Sequence, residues 1–318
     1  MSRLRGLLEK FRALIHLAGA ALIVATYCGF FDSYHWSLDL LTHFRPQYLV
    51  GLVSLGLAAL VVRSRLFAVL LMFHAGLNAA VMSPYFEKLE ERSGQPQAEV
   101  KLLLFNLNQR NTNYDAVVDF VRSEQPDVAI FIEVGIEWDQ HLRQLTSDLP
   151  QFVSEARDDN FGIALYSKLP LLSSRVELVG EVQRPTIFAD LMLGSSEITV
   201  VGTHPVPPGS EHNSYLRNDH LSKLADVLRQ QRRPILFAGD MNITPWSSHY
   251  RDFLERSGLL NAARGRWILW TWPSTILPLA IPIDHVLIST DFNVKGIRKG
   301  PSLGSDHYPV IAQLELVR

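Results

Sequence analysis

Cysteine, acidic residues near the amino terminus and glycine-rich phosphate loops are scarce or absent in this sequence. The single cysteine, Cys28, excludes an intrachain disulfide and permits any cellular compartment, including an oxidising one. No internal repeat, low-complexity tract or glycine-rich phosphate loop is present. The formal net charge of −2 gives the whole chain no attraction to nucleic acid.

The first 83 residues are apolar and contain only three acidic residues, Glu9, Asp32 and Asp39. Apolar runs cover residues 13–31, 48–62 and 66–82. At about 1.5 Å per residue the first run is roughly 28 Å long, close to the thickness of a bilayer core, whereas the second is short at about 22 Å. A cleaved signal peptide is the alternative for the first run, but two further runs directly afterwards favour three transmembrane helices in an anchor of residues 1–83.

Basic residues predict how this anchor is oriented. Four precede the first run, namely Arg3, Arg5, Lys10 and Arg12. The short second connection carries two, Arg63 and Arg65, while the first connection carries only Arg45. Since basic loops remain in the cytoplasm, the amino terminus is expected inside and everything after Pro84 outside the cytoplasmic membrane. Residues 84–97 are polar and read as a linker.

Residues 98–318 alternate between strand and helix patterns. Strands are predicted at 100–105, 128–132, 162–166, 187–192, 198–202, 235–238, 285–289 and 310–316, and helices at 113–125, 215–230 and 249–257. This alternation predicts an α/β domain with sheets at its centre.

The stretch ILFAGDMNITP, residues 235–245, places polar groups directly after an apolar strand. Asp240 and Asn242 are two residues apart, so their side chains project to the same side if the backbone stays extended across Met241. A carboxylate and a carboxamide aimed together suit a divalent cation, a water or a phosphate oxygen. Taken alone, such a strand end is also a common turn.

Similar groups stand at five further predicted strand ends: Asn106 with Asn108, Glu133, His204, Asp284, and Asp306 with His307. Each by itself fits an ordinary role as a turn former or loop residue. Chance does not place such groups at successive strand ends while leaving the rest of each strand apolar. The set therefore predicts one shared site.

The motifs FNLN, IFIEV, GTHP, AGDMN, PIDHV and GSDHYPV occur in an order that resembles the endonuclease/exonuclease/phosphatase superfamily of DNase I-like metal-dependent phosphoesterases. The resemblance covers roughly residues 98–318. It implies an α/β fold of four layers, with two central, mostly antiparallel sheets flanked by helices. The preceding all-α anchor suggests the bacterial membrane-bound branch, a multi-pass protein of the inner membrane with its catalytic domain on the periplasmic side.

The resemblance also implies a metal site. Glu133 is expected to be the principal ligand of Mg²⁺ or Mn²⁺, with Asn106, Asn108 and Asp306 nearby. Mg²⁺ prefers a few hard oxygen ligands and keeps several waters, so this sparse set suffices. One departure is Ile132, which stands where the family often carries glutamine.

The remaining residues take catalytic roles in this interpretation. Asp240 would orient or deprotonate the attacking water, and Asn242 would hold a phosphoryl oxygen. His307 would contact the phosphate, with Asp284 fixing its tautomer. His204 would contact phosphate or protonate the leaving group, and it stands where several DNA-repair relatives carry tyrosine.

The substrate is less well defined by the sequence. After Met82 there are 23 Lys and Arg against 29 Asp and Glu, which argues mildly against a nonspecific nuclease. Residues 267–283 include Trp272 and carry no charge, so they form either a packed loop or an apolar lip that touches a bilayer or an acyl chain. Arg184 and Arg217 are candidate phosphate contacts.

Together these patterns predict a membrane-anchored, metal-dependent phosphodiesterase. A nuclease is placed first, from family frequency, and a phospholipid or sphingolipid phosphodiesterase second. A catalytically silent, membrane-tethered binding module is the alternative from another class, and the complete set of polar strand-end residues argues against it. No protein partner is evident.

Overall fold

The computed structural model describes residues 2–317, with side chains from Gly6 onward. Met1, Arg318 and the side chains of Arg3 and Arg5 lie outside the described residues. The chain divides into two compact units. The first contains the residues up to Glu87 together with Pro245–Ser248, and the second contains Lys88–Thr244 and His249 onward.

The first unit is helical. Its elements are α1 (Ser2–Cys28), α2 (Trp36–Thr42), α3 (Arg45–Val61) and α4 (Arg65–Phe86). Two stretches, Gly6–Cys28 and Arg65–Phe86, are long and apolar enough to cross a membrane. Helices α2 and α3 meet at a bend of 63° and pass the same test only as a pair, as a broken span or a re-entrant loop. Helix α4 runs three residues into the expected linker, and β1 begins inside it.

A buried hydrogen-bond network joins α1, α3 and α4. The guanidinium of Arg45 donates to the carbonyl oxygen of Gly29 at 2.7 Å and to Oδ1 of Asn78 at 3.2 Å. Asn78 in turn donates to the hydroxyl of Thr26 at 2.9 Å. Polar groups within apolar helices need such partners, because neither lipid nor packed side chains would satisfy them.

The second unit contains two six-stranded sheets and four helices. The first sheet has the order β11-β12-β1-β2-β4-β3 and the second β5-β6-β7-β8-β10-β9. The strands are β1 (Pro96–Asn106), β2 (Val128–Ile132), β3 (Gln151–Glu155), β4 (Ile163–Ser167), β5 (Leu171–Val179), β6 (Arg184–Leu193), β7 (Ser196–Thr203), β8 (Ile235–Asp240), β9 (Leu260–Asn261), β10 (Asp284–Ile288), β11 (Phe292–Lys299) and β12 (Val310–Val317). The helices are α5 (Tyr114–Glu124), α6 (Ile136–Leu142), α7 (Glu211–Arg229) and α8 (Ser248–Ser257). The pairs β1–β2 and β7–β8 are parallel, and the other strand pairs are antiparallel.

The burial of β2 shows how the layers are stacked. Ile130 and Ile132 pack into the core between the two sheets, which also contains Leu236 of β8. Ala129 and Phe131 point to the other face, into a core shared with α5 and α6. A third core joins the second sheet to α7 and α8. The predicted sequence of layers, helices–sheet–sheet–helices, is therefore confirmed.

Several helices and strands were not predicted from the sequence. They are α2, α6 and the strands β3, β5, β9 and β11. Strand β5 is largely exposed at a sheet edge and α6 has only seven residues, so neither carries a clear hydrophobic period. Helix α7 begins at Glu211, four residues earlier than predicted, because Ser210 caps it by accepting from the Asn213 amide.

Candidate active site

The predicted strand ends meet at one edge of the two sheets. Strands β1 and β2 are parallel, as are β7 and β8, so their carboxyl ends share that edge. Strand β10 is antiparallel to β8 and pairs Asp284 with Asp240. Strand β12 is antiparallel to β1 and begins opposite Leu104. The topology thus gathers polar residues from distant parts of the chain.

Three of the predicted site residues have a left-handed backbone. The φ angles are +54° at Asn108, +60° at Glu133 and +52° at Asn242. Asparagine tolerates this region better than most residues, whereas glutamate rarely occupies it. Each of the three lies one or two residues after a strand. Unfavourable backbone conformations of this kind persist where the surrounding structure enforces them, often at functional sites.

Asn106 joins the two sheets at the centre of the site. Its Nδ2 donates to Oε1 of Glu133 at 3.1 Å and to Oδ2 of Asp240 at 3.0 Å. Its Oδ1 accepts from the backbone amide of Asn108 at 3.0 Å. In this orientation the carboxamide bridges two carboxylates. The sequence placed Asn106 near a metal ion but did not indicate this bridging role.

Two carboxylates at the site, Glu133 and Asp306, have no lysine or arginine partner among the described residues. Burial raises the pKa of Glu133, while the bond from Asn106 opposes this shift. Asp306 accepts from Nδ2 of Asn108 at 2.7 Å and from Nε1 of Trp272 at 3.0 Å. Within residues 2–317 neither carboxylate forms an ion pair with lysine or arginine. The Asp306 charge also raises the pKa of Glu133, so the two carboxylates lie near each other, and such oxygen donors fit a divalent cation.

His307 is held by an acid on each side. Its Nδ1 lies 2.9 Å from Oδ2 of Asp284, and its Nε2 lies 3.7 Å from Oδ2 of Asp240. Burial alone lowers the pKa of His307, but the carboxylates of Asp284 and Asp240 raise it to about 10. Burial and the Asp284 carboxylate raise the pKa of Asp240 to about 7. The imidazole is therefore a cation at neutral pH.

Asp240, Asp284 and His307 also lie within 4.8 Å of one another, close enough to hold a metal ion. Nδ1 of His307 is already bonded to Asp284, which leaves only Nε2 of the imidazole for a metal ion. The short bond between His307 and Asp284 accordingly favours a proton-handling pair at this position. The carboxylates of Glu133 and Asp306 are the better candidates for the cation.

His204 is buried beside Asp240, with its Nε2 3.6 Å from Oδ2 of that residue. Burial, with the nearby charge of His307, lowers the pKa of His204 to about 3. The ring of Phe161 lies 5.2 Å from the His204 ring, and the guanidinium of Arg184 covers Phe161 at 3.7 Å. Arg184 thus lies at the border of the site, where it pairs with Asp159 at 2.9 Å.

Arg217, a candidate phosphate contact, lies beneath the segment that follows β8. Its side chain is fully buried, and its Nη1 donates to the carbonyl oxygen of Asn242 at 3.0 Å. A charged residue on an amphipathic helix usually faces solvent, so this burial is a result of tertiary packing. Asn242 itself donates through Nδ2 to the carbonyl oxygen of Pro205 at 3.0 Å, which ties it to the loop after His204.

Trp272 also has a contact that the sequence did not indicate. Its indole donates to Asp306, and its ring centroid lies 6.3 Å from that of His307. The Ser274 amide donates to the carbonyl oxygen of Asp306 at 2.7 Å. The loop of residues 267–283 is therefore bonded to the site through Trp272 and Ser274. Trp272 directly supports Asp306, one of the predicted metal ligands.

Comparison with known proteins identifies the family. The model of the endonuclease/exonuclease/phosphatase family matches residues 103–307. The chain belongs to this family. It is accordingly an enzyme that hydrolyses phosphoric esters, and the residues described above lie at its candidate active site. No match is found among curated proteins.

Solved structures share this fold at low sequence identity. A family protein from Bacteroides vulgatus is 19% identical, with a TM-score of 0.58, over 69% of this chain and 99% of that one. The D. rerio TDP2 structure complexed with a single-strand DNA product is 12% identical, with a TM-score of 0.58, over 68% and 98%. The human Nocturnin catalytic domain with bound sulfate is 15% identical, with a TM-score of 0.56, over 74% and 99%.

Sequence reasoning missed several supports of this family site. The Gln109 amide donates to Oε2 of Glu133 at 3.3 Å, and the Gln109 side chain accepts from the Asn160 amide at 2.8 Å. The Ser305 hydroxyl donates to the carbonyl oxygen of Asn106 at 2.7 Å. Gln109 and Ser305 adjoin residues that were predicted, which is the one signal the sequence offers.

Proposed function

We propose that this family member is a divalent-metal-dependent phosphodiesterase, and a nuclease in the first instance. The observation that carries the proposal is the contact of Asn106 with Glu133 on one side and Asp240 on the other. Through this contact Glu133, a carboxylate suited to bind a metal ion, lies next to Asp240, a carboxylate suited to accept a proton. Hydrolysis of a phosphodiester needs both charge neutralisation at phosphorus and an activated water.

Glu133 and Asp306 are the residues that would hold the cation, with Asn108 orienting Asp306. The two carboxylates fit a divalent cation, since they lack a lysine or arginine partner among the described residues and burial raises the pKa of Glu133. Bound there, a divalent cation supplies positive charge to the phosphoryl oxygens and to the departing oxygen.

The chain's own residues would handle the water and the phosphate. Asp240, whose pKa is raised to about 7, accepts the proton of the attacking water. The His307 cation stabilises charge that develops on the phosphoryl oxygens, and Asp284 keeps it oriented. His204 is neutral at pH 7 and offers a hydrogen bond to the phosphate, which supports the contact role over proton delivery.

A nucleic-acid substrate is supported by the fold shared with a DNA-bound TDP2 structure. The test compares the full-length protein in detergent micelles with its Asp240→Asn variant, on supercoiled plasmid, single-stranded DNA and RNA. Metal-dependent cleavage that is lost in the variant supports a nuclease. Cleavage that persists in the variant would point to a contaminating enzyme and contradict the assignment.

One observation favours a phospholipid diesterase as the second candidate. Ile276, Leu277 and Leu279 are each at least half exposed, on an uncharged loop whose base holds Asp306. Such a tip suits the interface of a lipid bilayer. Hydrolysis of phospholipid or sphingomyelin vesicles, lost in Leu277→Glu while cleavage of a soluble diester is retained, would select this candidate.

We further propose that the helical unit anchors the enzyme in the inner membrane of a bacterium, with three spans and the catalytic unit in the periplasm. Two helices meet the length and hydropathy requirement, and α2 with α3 would supply the third crossing. Basic residues flanking the spans support this orientation. Reporters fused after Arg318 test it: alkaline phosphatase activity is expected, and fluorescence of a cytoplasm-only reporter would contradict it.

A further inference from the structure

Helix α7 carries a buried polar pair that no step of the proposed reaction uses. Arg217 and His220 are three residues apart and therefore face the same side of the helix. Both side chains are fully buried. Burying the charge of Arg217 is costly, whereas His220, whose pKa is lowered by burial to about 4, is a neutral imidazole. What the pair does is therefore read from the groups that its two side chains contact.

Each member of the pair contacts one of two strand ends at the site. Arg217 Nη1 donates to the carbonyl oxygen of Asn242 at 3.0 Å, beyond the end of β8. His220 Nε2 lies 2.9 Å from the hydroxyl of Thr203, the last residue of β7 and the neighbour of His204. One face of α7 thus contacts the segments that carry two predicted phosphate contacts.

The Asn242 segment is the one that most needs support. Its φ of +52° is uncommon for an asparagine without local restraint. The Asn242 side chain also donates to the carbonyl oxygen of Pro205, so a shift at Asn242 is transmitted to the loop after His204. The two strand ends are therefore linked to each other as well as to α7.

We propose that Arg217 and His220 are positioning residues, which hold Asn242 and His204 in register for the phosphate from behind the site. The inference rests on the proposed function of that site. Neither residue contacts substrate. Their effect is to hold the two side chains within the narrow geometric tolerance that catalysis requires.

The first test is kinetic, with full-length protein in detergent micelles and a soluble phosphodiester as the probe. Arg217→Met and His220→Leu should each lower kcat by about 10- to 100-fold with little change in KM, since supports of this kind act through geometry. Arg217→Lys and His220→Gln keep a donor and should recover part of the loss. Lys223→Met, on an exposed face of α7, is the matched control and should leave kcat unchanged.

A double-variant comparison separates positioning from general damage. If Arg217 acts through Asn242, adding Arg217→Lys to Asn242→Ala should slow the enzyme no further than Asn242→Ala alone, because residues that act as one unit are not additive. Losses that multiply would overturn the proposal, as would a change in KM alone.

Amide hydrogen exchange gives a readout that is independent of activity. The amides of Met241 and Asn242 donate to Ile283 and Asp240 at 2.9 Å in each case, and should exchange at least about tenfold faster in Arg217→Met than in Lys223→Met. Unchanged exchange would overturn the positioning role even if the enzyme proved to have another substrate. Faster exchange in a protein that cleaves no phosphodiester would preserve the positioning role and reject the proposed function.

Discussion

His307 and Asp284 form a buried pair, with Nδ1 of the imidazole 2.9 Å from Oδ2 of the carboxylate. The Asp284 charge is a main cause of the raised pKa of His307. The pair explains how an imidazole in a desolvated site remains a cation beside the proposed phosphate position.

Asp284→Asn should remove the charge and leave the shape of the pair. The pKa of His307 then falls, so the cation is lost at a lower pH than in the wild type. We expect kcat/KM near pH 8 to drop about 100-fold and the alkaline limb of the pH profile to move to lower pH. A profile with an unmoved alkaline limb would show that the His307 cation is not required. The surface variant Asp291→Asn serves as the control.

Asp240→Asn should abolish hydrolysis and stabilise the metal-free fold. Burial and Asp284 raise the pKa of Asp240 from 3.8 to about 7. The folded protein thus binds this proton more tightly than the unfolded chain, and the stability that the proton contributes is full below about pH 4 and lost as the pH rises through 7. The variant mimics the neutral carboxyl, so it should melt higher than wild type near pH 8, by about 2–4 °C per kcal/mol recovered.

That advantage should disappear clearly below pH 3.8, near pH 3, where Asp240 is protonated in both folded and unfolded chains. Thermal melting in the presence of a chelator, at both pH values, is the measurement. Asp119→Asn, at an exposed position of α5, should change neither melting temperature. An equal melting temperature of Asp240→Asn and wild type near pH 8 would mean that the carboxyl is not desolvated.

Metal binding should depend on Glu133. A chelator is expected to abolish hydrolysis, and Mg²⁺ or Mn²⁺ to restore it. Saturating metal should raise the wild-type melting temperature according to its free concentration relative to Kd. In Glu133→Gln this rise should nearly vanish, whereas the exposed Glu155→Gln should keep it. If metal stabilised Glu133→Gln as much as the wild type, the cation would have to bind to other residues. The cluster of Asp240, Asp284 and His307 would then be tested first.

Trp272→Phe tests whether the indole orients Asp306. The substitution keeps an aromatic ring and removes the bond from Nε1 to Oδ2. Loss of such a support should weaken metal affinity about tenfold. Calorimetric titration with Mn²⁺ measures this, and Trp270→Phe is the matched control from the same loop. Equal affinities for the two variants would assign Trp272 a packing role only.

The sequence predicted the central residues because each lies at one end of an apolar strand. The approach of Asn106 to Asp240, however, joins two sheets and is set by strand order, which no local pattern encodes. Arg217 shows a different limit: on an amphipathic helix it resembles a surface charge, and only tertiary packing buries it. The bond from Trp272 to Asp306 spans 34 positions and carries no signature in either segment.

Secondary structure was likewise predicted where the local sequence carries a hydrophobic pattern and missed where it carries none. Strand β2, buried on both faces, gave a continuous apolar run and was predicted with its observed bounds. Strand β5 lies at a sheet edge, where continuous exposure and several polar residues remove the signal.

The most direct test of the account is nicking of supercoiled plasmid by the purified full-length protein with Mg²⁺ or Mn²⁺, beside its Asp240→Asn and His307→Ala variants. The account predicts metal-dependent nicking by the wild type and loss of at least about 100-fold in both variants. Folded, metal-binding wild-type protein that leaves the plasmid intact would contradict the nuclease assignment and direct the search to lipid phosphodiesters.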